Sequence, residues 1–298
     1  MRELGLNMSN QGEQPVIDKL TAWAKAKPDI RAVILTSSRA KPNATLDEFS
    51  DYDVIFVAED IKPYLQDESW LDEFGRVLVV YRDPVEIRFG FERFIRVTQY
   101  ETGLKIDFTL WPVDLLKHVS QMKQLPDYID DGYRILLDKD RLMQGMKTPS
   151  CRAFVPKPPT EVEYRNFIEE CFSDVPYAVK QIRRGDYFPL QFTFHLMRCQ
   201  KLAKLLEWKV EIEHGWSLKG AYYGKGLQKY LDPKLFTEIE NTYAGYGFEA
   251  NWESLSRIIK LFSRIAKEVG ERMGYNYPEE LETRILKYLQ KVKGGELP

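Results

Sequence analysis

The spacing of apolar residues changes character near the middle of this chain. Val16, Leu20, Trp23 and Ala24 recur at helical intervals within 14–26 (QPVIDKLTAWAKA), which predicts an amphipathic opening helix. Short apolar runs rich in β-branched residues follow, RAVILT at 31–36 and DVIFVA at 53–58, bounded by polar, Pro- or Asn-containing stretches; these predict buried strands. RVLVVY at 76–81 and RFIRVTQY at 93–100 continue the series. Thr102-Gly103 then turns the chain into LKIDFTLW at 104–111 as a hairpin, and RILLD at 134–138 closes the set. Between 140 and 160 the chain is Pro- and Lys-rich (MKTPSCRAFVPKPPT) and aperiodic, which places a boundary at residues 150/151. Helices take over beyond it. Thr160 with Glu163 makes a capping-box pattern ahead of helical spacing at 162–184, and further helices are expected at 187–212, 233–244, 249–274 and 278–292. The expected class is α+β: a small mixed β-sheet flanked by helices in 1–150, then an all-helical bundle in 151–298.

Composition narrows the function classes. With 298 residues the chain can bury roughly 75% of its unfolded surface and needs neither disulfides nor a structural metal to fold. No apolar run approaches the roughly 20 residues of a membrane span, and MRELGLNMSN at the start lacks the apolar centre of a secretory signal, so a cytoplasmic protein with no membrane partner is expected. Cys151, Cys171 and Cys199 are not spaced as a metal knuckle, and His118, His195 and His214 form no i, i+4 pair, so any metal has oxygen ligands. Lys and Arg total 43 against 45 Asp and Glu, which gives no basic excess to hold nucleic acid. Small-molecule partners are expected. A monomer is expected too, because no heptad or repeated apolar face announces a second chain.

The chemistry is concentrated in 36–53, TSSRAKPNATLDEFSDYD, and in KID at 105–107. Residues two apart on a strand share a face, so Asp51 and Asp53 present two carboxylates side by side while Tyr52 and Val54 face away. Such a pair suits a hard divalent cation that is also held by substrate phosphates. Asp107 is a third carboxylate in an otherwise apolar strand, where ionisation is costly unless it meets a metal, a partner or solvent. Ser37, Ser38 and Arg39 follow the first strand, where hydroxyls, free N–H groups and a guanidinium can cradle a phosphate chain. Each feature also has an ordinary explanation: Asp-x-Asp as a turn or helix cap, Arg39 paired with Asp47 or Glu48, and Asp107 salt-bridged to Lys105. Tyr222-Tyr223 and the Tyr275, Tyr277 pair read as packing surfaces.

The order strand, Ser-Ser-Arg turn, variable loop, Asp-x-Asp and later strand Asp resembles the DNA-polymerase-β-like nucleotidyltransferase superfamily. More closely, SRA at 38–40, DEFSDYDV at 47–54, KIDFTLWP at 105–112, LLDKDR at 136–141, PYAVK at 176–180, WKVEIEHG at 208–215 and YNYPE at 275–279 resemble the streptomycin (aminoglycoside) 6-adenylyltransferase family, over about residues 15 to 292. The resemblance implies that 1–150 is an ATP- and Mg²⁺-binding nucleotidyltransferase domain and that 151–298 completes an acceptor cleft. It implies transfer of AMP from ATP to an aminoglycoside hydroxyl, with pyrophosphate leaving. Asp51, Asp53 and Asp107 become the catalytic and metal-binding residues, for two Mg²⁺ ions, and Asp107 serves as metal ligand or as general base. Ser37, Ser38, Arg39 and Lys180 become the nucleotide-binding residues, with Lys105 a weaker candidate for the triphosphate. The family carries Gly where Ser37 stands here, a departure at a position where backbone and phosphate come close. The acceptor-binding residues stay unassigned. Two alternatives remain open: another small-molecule or protein hydroxyl as acceptor, or a non-catalytic nucleotide-binding protein on the same fold.

Overall fold

The computed structural model describes residues 13–41, 46–218 and 224–296; the Tyr222-Tyr223 pair lies outside them. The chain divides into two compact units, Met1–Phe154 and Val155–Pro298. Among the described residues, seven strands form one mixed sheet, accompanied by ten α-helices.

The first unit runs α1 (Glu13–Ala26), β1 (Ile30–Thr36), β2 (Tyr52–Ala58), α2 (Lys62–Gln66), β3 (Val77–Arg82), β4 (Glu86–Arg88), β5 (Phe91–Tyr100), β6 (Lys105–Pro112), α3 (Val113–Ser120), α4 (Asp127–Asp130) and β7 (Tyr133–Asp138). The strand order is β3-β5-β6-β2-β1-β7, with β4 added alongside β5. Gly103, at φ +84°, closes the β5–β6 hairpin where Thr102-Gly103 predicts it. Among the described residues β2 and β6 are the one parallel pair, since the segment between them crosses back through β3 and β5; the other pairings there are antiparallel.

Both faces of the central strands are covered for most of their length. On one face Val54, Phe56, Phe108 and Leu110 pack under α1 and a 3₁₀ turn at Ser69–Phe74, with Trp23, Phe56, Trp70, Phe74 and Phe108 in mutual ring contact. On the other, Ile34, Ile55, Val57 and Trp111 pack with Leu115, Leu116 and Val119 of α3 and Ile129 of α4. The polar residues Asp53, Lys105 and Asp107 occupy the starts of β2 and β6, at the end of this apolar layer. The fold thereby gathers the chemistry at one end of the sheet.

The second unit runs α5 (Glu161–Arg184), α6 (Tyr187–His195), a π-helical segment (Leu196–Leu202), α7 (Ala203–Glu213), α8 (Pro233–Glu240), α9 (Phe248–Met273) and α10 (Glu279–Lys293). The capping box forms at the head of α5: the Glu163 N–H donates to Thr160 Oγ1 at 3.2 Å, and the Thr160 N–H donates to Glu163 Oε2 at 2.7 Å. Tyr275 and Tyr277 pack against the core formed by α5, α7 and α9, as expected. The single helix expected over 187–212 is instead interrupted by the π segment. There, two buried cations find partners: Arg198 donates to the Thr242 carbonyl at 3.1 Å, and Lys201 pairs with Glu170 at 2.5 Å. Among the described residues no helix is long and apolar enough to cross a membrane.

Candidate active site

The strand alternation works as the sequence predicts. Tyr52 and Val54 point into the apolar core, 3% and 1% exposed, which turns Asp53 to the opposite face. Asp53 and Asp107 then stand directly opposite each other on the parallel strands β2 and β6, and Thr36 of β1 stands opposite Asp53 on its other side. Asp51 lies one residue before β2, and Lys105, at the start of β6, reaches it. Lys105 Nζ donates to Asp51 Oδ2 at 2.6 Å and to Asp107 Oδ2 at 3.1 Å, clasping two of the three carboxylates with one ammonium. The salt-bridge reading of Asp107 therefore holds in part, and Lys105 is given to the carboxylates.

The electrostatics of this row are strained. Burial, followed by the neighbouring Asp107 charge, lifts the Asp53 carboxyl from 3.8 to about 6, against a hydrogen bond from Ser37 and the charge of Lys105. Burial also raises the Asp107 carboxyl, against the opposing pull of Lys105. For Lys105, burial disfavours the ammonium, but its bonds and charges with Asp51 and Asp107 win and its pKa rises. Asp107 Oδ1 is buried with no hydrogen-bond partner.

These features fit a divalent cation. A carboxyl with an orphaned buried oxygen, beside a second one raised by burial and then by its neighbour's charge, lies where added positive charge is favourable. The donors are hard oxygens of the type Mg²⁺ prefers. The side chains are not closed into a ready shell: among the described residues no group of three or more His, Cys, Asp or Glu is placed to hold a metal ion. Asp51 and Asp107 instead share the Lys105 ammonium.

The phosphate-turn residues separate into two roles. Ser37 opens a 3₁₀ turn (Ser37–Ala40) at φ +60°, the left-handed region where glycine is at ease, so the position that departs from the family's Gly keeps a glycine-like backbone. Its side chain hydrogen-bonds to Asp53, and Ser38 follows, half-buried, in the same turn. Arg39, expected among the nucleotide-binding residues, is engaged by protein groups in this structure. Its guanidinium donates to the Ser50 carbonyl at 2.7 Å and the Asp51 carbonyl at 3.1 Å, lies 3.8 Å from the centroid of the Tyr52 ring, and is 8% exposed at its side chain. Its donors are thus turned inward onto the backbone of the Asp-x-Asp segment. Lys180 belongs to the second unit, on the exposed side of α5, with Nζ 5.7 Å from the Tyr177 ring. The site in the first unit thus unites Asp51, Asp53, Asp107, Lys105, Thr36 and the Ser37-Ser38 turn. Sequence reasoning missed Thr36 and the reach of Lys105 to Asp51; its pairing with Asp107 was foreseen from their i, i+2 spacing.

Comparison with known proteins converges on one group. A profile described as streptomycin adenylyltransferase matches residues 10–292. The aminoglycoside 6-adenylyltransferase of Bacillus subtilis (strain 168) is 28% identical over 292 residues, covering 95% of this chain and 98% of that protein. The protein of the same description from Campylobacter jejuni is 26% identical over 291 residues, covering 96% and 98% respectively. The crystal structure of an aminoglycoside 6-adenyltransferase from Bacillus subtilis aligns at a TM-score of 0.45 and 24% identity, covering 95% of this chain and 99% of that one.

Proposed function

The chain belongs to the streptomycin adenylyltransferase family, and on that premise we propose that it transfers AMP from Mg²⁺-bound ATP to a hydroxyl of a streptomycin-like aminoglycoside. The relatives' shared description as aminoglycoside 6-adenylyltransferases supports the reaction class. The observation that carries the site is the in-register pair Asp53 and Asp107, with Thr36 opposite Asp53 on β1, the Ser37-Ser38 turn directly after it, and Asp51 just ahead of β2.

In this reading the acceptor oxygen forms a bond to the α-phosphorus of ATP, the bond from that phosphorus to the bridging oxygen breaks, and pyrophosphate leaves. Asp51, Asp53 and Asp107 would hold Mg²⁺, which when bound supplies charge stabilisation for the entering and leaving oxygens. Lys105 yields Asp51 and Asp107 to this role and keeps its positive charge beside them. Asp107, its carboxyl raised by burial, also receives the proton of the acceptor hydroxyl, a task that calls for a carboxylate within hydrogen-bond reach of that oxygen. The Ser37-Ser38 turn offers hydroxyls and N–H groups to the phosphates. Arg39 fixes the backbone from which Asp51 and Asp53 project.

The test is incubation of the purified protein with Mg²⁺, ATP and a panel of aminoglycosides led by streptomycin, with mass spectrometry of the acceptor. An adduct carrying one added AMP, absent with Asp53→Asn, is expected. No adduct on any aminoglycoside, with Mg²⁺-ATP still raising the Tm of the protein, overturns the acceptor class and leaves the nucleotide site standing.

A further inference from the structure

The ladder that sets Asp53 opposite Asp107 continues across the sheet. Asp107 is opposite Val97 on β5, and Val97 is opposite Tyr81 on β3. Residues directly opposed in a ladder point to the same face. One row therefore reads Tyr81, Val97, Asp107, Asp53, Thr36 from the edge strand inward, with Tyr81 about 10 Å from Asp107 at two strand spacings. The alternation of burial agrees: Phe94, Arg96 and Thr98 of β5 are buried, while Ile95, Val97 and Gln99 turn toward the open face. On β3, Val77 and Val80 pack against the core beneath the sheet, whereas Val79 and Tyr81 are 52% and 63% exposed. Tyr81 has no core role that accounts for an aromatic ring there.

The direction of the chemistry gives it one. In an in-line displacement the entering and leaving oxygens stand on opposite sides of the phosphorus. The Ser37-Ser38 turn follows β1, on one flank of the carboxylate row, and is the turn suited to the departing phosphates. The acceptor must then approach from the other flank, over β6, β5 and β3. The side chains on that flank are Val97, Val79 and Tyr81, with Ile95 and Gln99 on the same face of β5 and Lys105 opposite Gln99, its charge met by Asp51 and Asp107; Asp83 follows the end of β3. An apolar and aromatic floor with added negative charge suits a hydroxylated ring that bears ammonium or guanidinium groups, since a cation over an aromatic face is attracted by the ring's quadrupole.

We propose that Tyr81, with Val97 and Val79 beside it, is the platform on which the cationic sugar acceptor rests while its hydroxyl faces Asp107. This rests on the adenylyl-transfer reading above. Tyr81 is thereby a specificity-determining residue of that reaction.

The test compares wild type, Tyr81→Ala, Tyr81→Phe and Ile87→Ala in steady-state transfer to streptomycin, together with calorimetric binding of streptomycin in the presence of Mg²⁺ and a non-hydrolysable ATP analogue. Ile87, on β4 and 74% exposed, controls for the loss of an exposed apolar side chain away from the row. Tyr81→Ala is expected to raise the streptomycin KM and Kd by about tenfold, the loss of one good cation–π contact. Its KM for ATP, its kcat and its Mg²⁺-ATP-induced Tm shift should stay within about twofold of wild type; Tyr81→Phe, which keeps the ring, and Ile87→Ala should behave as wild type. An unchanged streptomycin KM in Tyr81→Ala, an equal rise in the KM for ATP, or a Tyr81→Phe as impaired as the alanine variant overturns the platform alone. A wild-type protein that neither modifies nor binds streptomycin overturns both readings.

Discussion

Replacing Asp53 with Asn should make the protein more stable, and by an amount that depends on pH. In the native state burial and the Asp107 charge lift this carboxyl from 3.8 to about 6. The folded protein therefore holds the proton more tightly than the unfolded chain, and ionisation of Asp53 weakens the fold. Below about pH 4 both states are protonated and the group contributes nothing; as pH rises through about 6 the penalty grows to its full value. At about 1.4 kcal/mol per tenfold change in proton affinity, the full penalty is about 3 kcal/mol. That figure already contains the repulsion between Asp53 and Asp107, which the variant removes. The assay is equilibrium unfolding in urea of both proteins at about pH 4 and about pH 7.5, with chelator present to remove divalent cations. The stability of the variant relative to wild type should rise by roughly 2–3 kcal/mol between the two conditions, and Mg²⁺ should reduce the difference at the higher pH. A relative stability independent of pH would refute the reasoning, because it would mean that Asp53 ionises as freely in the fold as in the unfolded chain.

Three further outcomes are expected. Lys105→Met leaves Asp51 and Asp107 without their shared ammonium, so its Tm without divalent ions should fall below wild type and its Tm rise on adding Mg²⁺ should exceed that of wild type; differential scanning fluorimetry reads both. Arg39→Ala unpairs the Ser50 and Asp51 carbonyls and should cost roughly 2–3 kcal/mol in urea unfolding, with Arg39→Lys recovering only part because one ammonium does not reproduce the planar fork. Thr160→Ala should cost about 1 kcal/mol of stability through loss of the α5 cap and leave the transfer rate unchanged, as measured by unfolding and by turnover.

Local patterns were legible in the sequence and non-local ones were not. The runs at 53–58 and 104–111 read as strands because β-branched residues and alternation are local signals, and the Thr160 capping box was legible because its four residues contain the whole interaction. The facing of Asp53 away from the core was legible for the same reason, since alternation with Tyr52 and Val54 decides it; Asp51 lies just ahead of the strand, where that alternation does not apply. β4 was missed because all three of its residues are exposed and carry no apolar pattern. The π segment that interrupts the helix over 187–212 holds Arg198 and Lys201, whose partners lie on distant segments that helical periodicity does not record. What most affects the site was also non-local. The parallel pairing that sets Asp53 against Asp107, the reach of Lys105 back to Asp51, and the inward turn of Arg39 all depend on strand register between segments about 50 residues apart or on a loop folding over Tyr52. At Ser37 the family resemblance marked a glycine position, and the positive φ gives the physical reason.

The central claim, that the carboxylate row moves the α-phosphoryl group of ATP with its nucleoside, is tested most directly by isotopic labelling. Wild type and Asp107→Asn are incubated with Mg²⁺, streptomycin and ATP labelled at either the α- or the γ-phosphorus, and the label is followed into acceptor and pyrophosphate. The account predicts α-label in the acceptor, γ-label only in pyrophosphate, and at least about a hundredfold loss of rate in Asp107→Asn. γ-Label in the acceptor, or undiminished α-label transfer by Asp107→Asn, would contradict it.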